Sequence, residues 1–306
     1  MRQLFFSLLI FVFYHSNAQV SFKFTNPQKK KEVVPFQLIN NLIVFPLTVN
    51  GNELSFILDT GVNKTILFDL SANKDLLFTN YRKILVRGLG EGQPVEALIS
   101  FENTIETEKI SGKDQEVLIL SNNSFNLSSR MGVTIHGVIG YAILKDLVVH
   151  INYTSKKLTF YNPLYYKPKK CKSCEELQID FSDNKPYVNV SVQLKNKDSI
   201  NIPVKFLVDS GGSDALWLFE DTKPSIQKPE KYFEDILGEG FSGTIYGKRS
   251  RISELRIGEF SLPYPTVSFL DTLSTSNARR IRVDMEVLEE EFSNVLIFGL
   301  ITKIEI

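Results

Sequence analysis

From residue 33 onward the chain is built of short apolar runs separated by polar turns, and helical periodicity is scarce. Leu42 to Val49 and Leu54 to Leu58 flank Asn50-Gly51-Asn52. Asn-Gly tolerates the left-handed backbone of a tight turn, so this stretch predicts a β-hairpin. Tyr187 to Leu194 and Ile200 to Val208 flank Asn196-Lys197-Asp198 and predict a second hairpin of the same design. A helix start is expected at Tyr141 to Lys145, with strands at Leu147 to Ile151 and at Lys157 to Tyr161. Met285 to Phe292 has the pattern of a short acidic helix with Glu289, Glu290 and Glu291 facing water. The pattern as a whole predicts a mainly β protein.

Each hairpin ends in the same way. Phe56-Ile57-Leu58 runs into Asp59-Thr60-Gly61-Val62, and Phe206-Leu207-Val208 runs into Asp209-Ser210-Gly211-Gly212. A carboxylate at the end of a buried strand is costly to hold alone. One Asp-[Ser/Thr]-Gly triplet is weak evidence, since a chain this long holds about 0.1 to 0.2 by chance. A single copy is explained by a turn whose Asp bonds its own backbone and whose Gly supplies positive φ.

Two copies with matching surroundings change that balance. Leu89-Gly90-Glu91-Gly92 follows the first Asp, and Leu237-Gly238-Glu239-Gly240 follows the second at a similar distance. Further on, Val138-Ile139-Gly140 is answered by Ile297-Phe298-Gly299. Landmarks repeated in one order indicate an internal duplication. Two copies that each deliver one carboxylate suggest a paired-acid site, whose members cannot both ionise cheaply and so share a proton. The glycines at 90, 92, 238 and 240 lack the spacing of a dinucleotide or phosphate loop.

The hydrophobic-hydrophobic-Asp-[Ser/Thr]-Gly strand ends, the Gly-rich segment beyond each and the later hydrophobic-hydrophobic-Gly resemble the pepsin/retropepsin-like aspartic peptidases. The bilobal secreted bacterial type is the nearest likeness, over roughly residues 35 to 300. The resemblance implies an acid protease fold of two duplicated β-barrel-like lobes. Lobe one would span residues 33–163 and lobe two 178–306, joined by a linker at 164–177. Asp59 and Asp209 would form the catalytic dyad across the lobe interface and activate a water between them. Thr60 and Ser210 would clamp the two loops, while Gly61 and Gly211 would keep side chains away from the dyad. Leu89, Gly90, Glu91 and Gly92 would form a flap over an extended peptide or protein substrate. Neither metal nor organic cofactor is implied. Both Asp residues lie in one chain, so a homodimer is not required.

Two departures modify the expectation. Val62 and Gly212 stand where such sites often carry a hydroxyl that bonds the carboxylate. Fewer bonds to the ionised form leave its pKa higher, which predicts an optimum at about pH 4 to 6. The first copy continues beyond Gly140 to Tyr161, whereas the second ends at Ile306, soon after Gly299. Lobe two is therefore expected to be incomplete. That leaves an alternative function, a catalytically impaired peptide-binding protein with a protease-like cleft.

Composition adds bounds. With 43% hydrophobic residues the chain is ample for a two-lobed core. Its 35 basic and 35 acidic residues favour neither nucleic acid nor an anionic membrane as partner. Arg2, the apolar run from Leu4 to Tyr14 and Ser16-Asn17-Ala18 read as a secretory signal peptide over residues 1–18. The run is too short to span a bilayer and no Cys follows it, so no membrane anchor is expected and the protein would be periplasmic or secreted. Residues 19–32, including Lys29-Lys30-Lys31, read as a solvated polar leader. Cys171 and Cys174 in the linker could be a disulfide, a redox pair or half of a zinc site; the histidines offer no paired spacing to complete the last. His136 and Trp217 read as structural residues, at a strand end and in the core.

Overall fold

Leu42–Val49 is apolar at nearly every position because both of its faces are covered. Ile43, Phe45, Leu47 and Val49 join Leu54, Phe56 and Leu58 in one buried cluster. Leu42 and Val44 join Ile57, Ile66 and Val138 in another. A strand with one solvent face would alternate, so an uninterrupted apolar run is the signature of burial on both sides. The strand pairs antiparallel with Asn52–Leu58, from Val44 opposite Ile57 to Val49 opposite Asn52. The turn between them puts Asn50 at φ 46° and Gly51 at φ 84°, as the Asn-Gly dipeptide predicts.

The structure is a computed structural model that describes residues 21–270, apart from 71–72, 74, 87, 91, 121–126, 169–173, 195–199, 213 and 220–223. In lobe one a sheet runs from Ile110–Leu120 through Thr65–Leu67, Gly137–Ile139, Asn52–Leu58 and Leu42–Val49 to Val95–Glu106. It closes because Val95–Glu106 pairs back onto Ile110–Leu120. A closed sheet has no free edge among these strands. Tyr81–Val86 pairs with Val95–Glu106 and extends the sheet into a hairpin. A second sheet of Val148–Asn152, Lys157–Tyr161 and Lys31–Pro35 lies beside the barrel.

The leader expected at 19–32 is in part a piece of this lobe. Phe22–Phe24 pairs with Ile110–Leu120, and Lys31–Pro35 pairs with Lys157–Tyr161. Phe22 and Phe24 are buried while Lys23 between them is exposed. Glu32 is buried and accepts a 2.6 Å hydrogen bond from Thr107 Oγ1. The lysines that made the stretch look like a solvated leader do stay exposed. Three alternating positions are enough to dock Phe22–Phe24, because residues 110–112 run beyond the part of their strand that Thr65–Leu67 covers.

Lobe two repeats the plan with two smaller sheets. One contains Asp180–Ser182, Lys185–Gln193, Asn201–Leu207, Glu254–Ile257 and Phe260–Pro263. The other contains Trp217–Leu218, Thr266–Leu270, Gly243–Arg251 and Phe233–Gly240. Trp217–Leu218 lies parallel to Thr266–Leu270, just as Thr65–Leu67 lies parallel to Ile110–Leu120. Val188, Val190, Val192, Val204, Phe206 and Phe269 are in its core.

A polar cluster ties this lobe together. Asp214 accepts from Arg249 Nη1 at 2.8 Å, Trp217 Nε1 at 2.8 Å and Ser268 Oγ at 2.9 Å. Arg249 Nε also donates to Asp235 at 2.5 Å. Removing one partner of a largely buried pair strands the others. Asp214→Ala is expected to cost about 3 kcal/mol, read as a lower denaturation midpoint with unchanged slope.

Residues 1–18, the Ile297-Phe298-Gly299 repeat, the acidic helix at Met285 to Phe292 and the incomplete end of lobe two all lie outside the described residues. Cys171 lies outside them as well, while Cys174 is disulfide-bonded. A bonded Cys174 fits the disulfide and the oxidised redox pair among the three readings of the linker motif.

Candidate active site

Asp59 and Asp209 sit where two buried strands run out of partners and turn toward one another. The Asp59 N–H donates to Ile139 O at 2.9 Å, so the strand Gly137–Ile139 carries the first loop. In lobe two the Val208 N–H donates to Pro186 O at 2.9 Å and holds the second loop against its own hairpin. The carboxyl groups are hydrogen-bonded to each other across the lobe interface. Asp209 is buried, and Asp59 keeps part of its surface accessible.

The loops interlock through the residues that follow. The Thr60 hydroxyl donates to Val208 O at 2.6 Å, and the Ser210 hydroxyl donates to Leu58 O at 2.7 Å. The Thr60 N–H donates to Ser210 Oγ at 3.1 Å, and the Ser210 N–H donates to Thr60 Oγ1 at 3.0 Å. Each hydroxyl thus accepts one bond from the other lobe and gives one to it. Gly61 and Gly211 each donate an N–H to the Asp two residues back, at 2.8 and 2.7 Å. A Cβ on Gly61 would lie 2.8 Å from an Asp209 oxygen, and one on Gly211 would collide with the Asp59 carboxyl. Close approach of the loops is therefore what requires glycine at both places.

Electrostatics separates the two acids. Burial raises the pKa of Asp59 above its ordinary value, and bonds from Asp209 and Gly61 together with the charge of Lys185 offset part of the rise. Asp209 is raised well above the ordinary value by burial and then by the Asp59 charge beside it. The pair titrates as a unit that shares a proton between its two carboxyls. The higher pKa inferred from Val62 and Gly212 thus has desolvation as its first cause.

The hairpin tip at residues 87–94 joins Tyr81–Val86 to Val95–Glu106, where the flap was expected. Of its residues Arg87 and Glu91 lie outside the described set. A second hairpin, Phe233–Gly240 with Gly243–Arg251, meets it tip to tip. The Ser242 N–H donates to Leu89 O at 2.9 Å, the Gly92 N–H donates to Ser242 O at 2.5 Å, and the Gly88 N–H donates to Ser242 Oγ at 3.2 Å. Apolar side chains are exchanged as well. Leu89 packs on Trp217, Phe219, Leu237, Ile245 and Leu270 of lobe two, while Phe241 packs on the lobe-one cluster around Ile57 and Val138. Arg130, from the short helix Leu127–Met131 of lobe one, pairs with Glu239 of the lobe-two hairpin at 2.9 Å.

The structure thus brings together Asp59, Thr60, Gly61, Asp209, Ser210 and Gly211, and it places Leu89, Gly90 and Gly92 in the tip-to-tip contact. Phe241 and Ser242 of the second hairpin were not singled out from the sequence. Their signal was the repeated Leu-Gly-Glu-Gly, which marks the second hairpin as equivalent to the first. His136 is structural: its Nδ1 accepts from the Ser55 N–H at 3.0 Å and burial lowers its pKa. Trp217 is a core residue.

Residues 45–143 match the sequence profile of a family described as aspartyl protease. Among solved structures the chain is similar to a retropepsin-like aspartic protease from Rickettsia conorii, at 15% identity and a TM-score of 0.30, over 43% of this chain and 90% of that one. Comparison with curated protein sequences finds no match. The matched segment carries the first Asp loop, its hairpin tip and the Ile139-Gly140 strand end that supports it, so this part of the chain is similar to the aspartyl protease family.

Proposed function

We propose that this protein is an aspartic endopeptidase that hydrolyses peptide bonds with a water activated between Asp59 and Asp209. The observation that supports it most is the pair of neighbouring carboxyls, Asp59 and Asp209, brought together by the Thr60–Ser210 clamp. In this mechanism the Asp59 carboxylate removes a proton from water as the oxygen adds to the scissile carbonyl carbon. Asp209 gives its proton to the carbonyl oxygen, which makes a neutral tetrahedral diol. Collapse returns a proton to Asp209 from one hydroxyl, while Asp59 delivers its newly acquired proton to the leaving nitrogen. The C–N bond breaks and the dyad regains its starting protonation. An extended peptide would lie between dyad and hairpins, bonding strand edges as an added strand. Separation of the hairpin tips admits it, and their closure excludes water. Export ahead of the first lobe, through residues 1–18, is part of this reading.

Incubating the purified chain with a peptide library at mildly acidic pH tests the proposal. Cleavage products that define one scissile position support it. Tight binding of a peptide carrying a non-hydrolysable tetrahedral hydroxyl group, without turnover of any substrate, would favour a binding protein instead.

A pH prediction follows from the raised carboxyls. A group raised in the folded state stabilises the fold fully below its unfolded pKa, near the ordinary 3.8, and that contribution is lost as pH rises through the native value. Asp209→Asn stays neutral and keeps an oxygen for the Gly211 N–H. Its Tm is expected to gain on the wild type between about pH 4 and pH 8. Parallel Tm curves across that range would contradict the assignment of the proton to Asp209.

A further inference from the structure

The two lobes differ at one position that faces the dyad. In lobe one the register Val44 opposite Ile57 continues to Leu42 opposite Asp59. In lobe two the register Tyr187 opposite Leu207 continues to Lys185 opposite Asp209, and the Val208 N–H bond to Pro186 O keeps the strands together at that point. Partners in an antiparallel register present their side chains on one face. Both positions follow equivalent tight turns, Asn40-Asn41 at φ 48° and 67°, and Asp183-Asn184 at φ 48° and 59°. Leu42 is buried in the lobe-one core. Its counterpart is a cation.

We infer that Lys185 is a specificity-determining residue of the cleft and selects substrates that carry a carboxylate side chain beside the scissile bond. This rests on the peptidase reading above. Lys185 is half-buried, and among the described residues its ammonium has no ion-pair or hydrogen-bond partner. Asp180, on the neighbouring strand, is held by Lys205 at 3.1 Å. The charge of Lys185 reaches both dyad carboxyls, in keeping with its register beside Asp209. A half-buried ammonium without a partner is poorly solvated, and closure of the hairpins desolvates it further. An incoming Glu or Asp side chain restores a partner in a medium where the attraction is strong, whereas a Lys or Arg side chain meets like charge. Leu42 on the other lobe offers only apolar contact, so the selection acts on one side of the scissile bond.

The test compares peptides that differ only as Glu, Gln or Lys at single positions flanking one scissile bond. Wild type is expected to favour Glu over Gln roughly tenfold in kcat/KM at one position on one side. Lys185→Leu should lose that preference, Lys185→Arg should keep it, and Lys185→Glu should turn it toward Lys. Equal rates for Glu and Gln at every position in wild type overturn the inference even if no variant folds. So does a preference that survives Lys185→Leu. Equilibrium binding of non-cleavable versions of the same peptides separates the two readings. A Glu preference in binding that depends on Lys185, with no turnover, upholds Lys185 and removes the peptidase. Turnover with no such preference does the reverse.

Discussion

On the proposed mechanism, Asp59→Asn and Asp209→Asn are each expected to reduce peptide cleavage by about 10³-fold or more while the protein stays folded. The two substitutions remove different halves of one step. Asn at 59 leaves no base to take the proton of water, and Asn at 209 leaves no acid to protonate the carbonyl oxygen. Because the dyad acts as a unit, the double substitution should cost little more than either single one. Both variants keep an acceptor for the Gly61 or Gly211 N–H, so their circular dichroism and solubility should match wild type. Rates measured on one library-derived peptide at its optimal pH decide the matter. A single variant that retains a tenth of wild-type activity would remove the dyad from the mechanism.

Disconnecting the clamp is the second large effect. Thr60→Val with Ser210→Ala deletes all four bonds between the loops. Two N–H groups and the carbonyls of Leu58 and Val208 then lose their partners, at about 1–3 kcal/mol for each buried group. The expected loss is about 4 kcal/mol or more, a large part of the 5–15 kcal/mol that holds a typical domain. Each single variant should lose roughly half of it. Thr60 and Ser210 share partners, so the double-mutant cycle should show coupling rather than simple addition. Activity should fall further than stability alone explains, by about 10²-fold, because displacing one carboxyl by an ångström spoils the shared proton. Denaturant melts and rates on the same four proteins give both numbers. Additive stability with unchanged rates would mean that the lobes are held elsewhere.

One candidate for such additional support is the contact between the hairpin tips. Leu89 rests in the lobe-two cluster and Phe241 in the lobe-one cluster, so each tip is held by the opposite lobe. The Arg130–Glu239 pair adds a charge contact whose Arg side chain is 56% exposed, and exposed pairs contribute little. Opening the cleft therefore has to break mainly the backbone bonds to Ser242 and the apolar exchange. Those interactions are replaceable by the backbone and side chains of a bound peptide.

Much of this architecture was legible along the chain. The apolar-rich runs at Leu42 to Val49 and Leu54 to Leu58, separated by the Asn50-Gly51 turn, specify a buried hairpin through local propensity and pattern alone. The repeat of Asp, hydroxyl and Gly after two such hairpins named the dyad and its clamp, because those residue types are costly or unneeded at strand ends unless something meets them. The leader at 19–32 is not legible as strand because Phe22 and Phe24 are too few to form a periodic signal among lysines. Only a barrel edge that comes from residues 110–120 reveals what they cover. The function of the second hairpin likewise depends on long-range approach: nothing near Phe241 or Ser242 says that Leu89, from the other lobe, will lie against it. Lys185 belongs to the same class. Its register with Asp209 follows from the pairing of two strands about 20 residues apart in the chain. Local order along the chain sets hairpins, turns and the two acids, since these are governed by neighbours a few residues away. Which acid holds the proton, which tips meet and which charge faces the cleft are set by burial and by contacts between distant segments, and those exist only once the lobes have closed on each other.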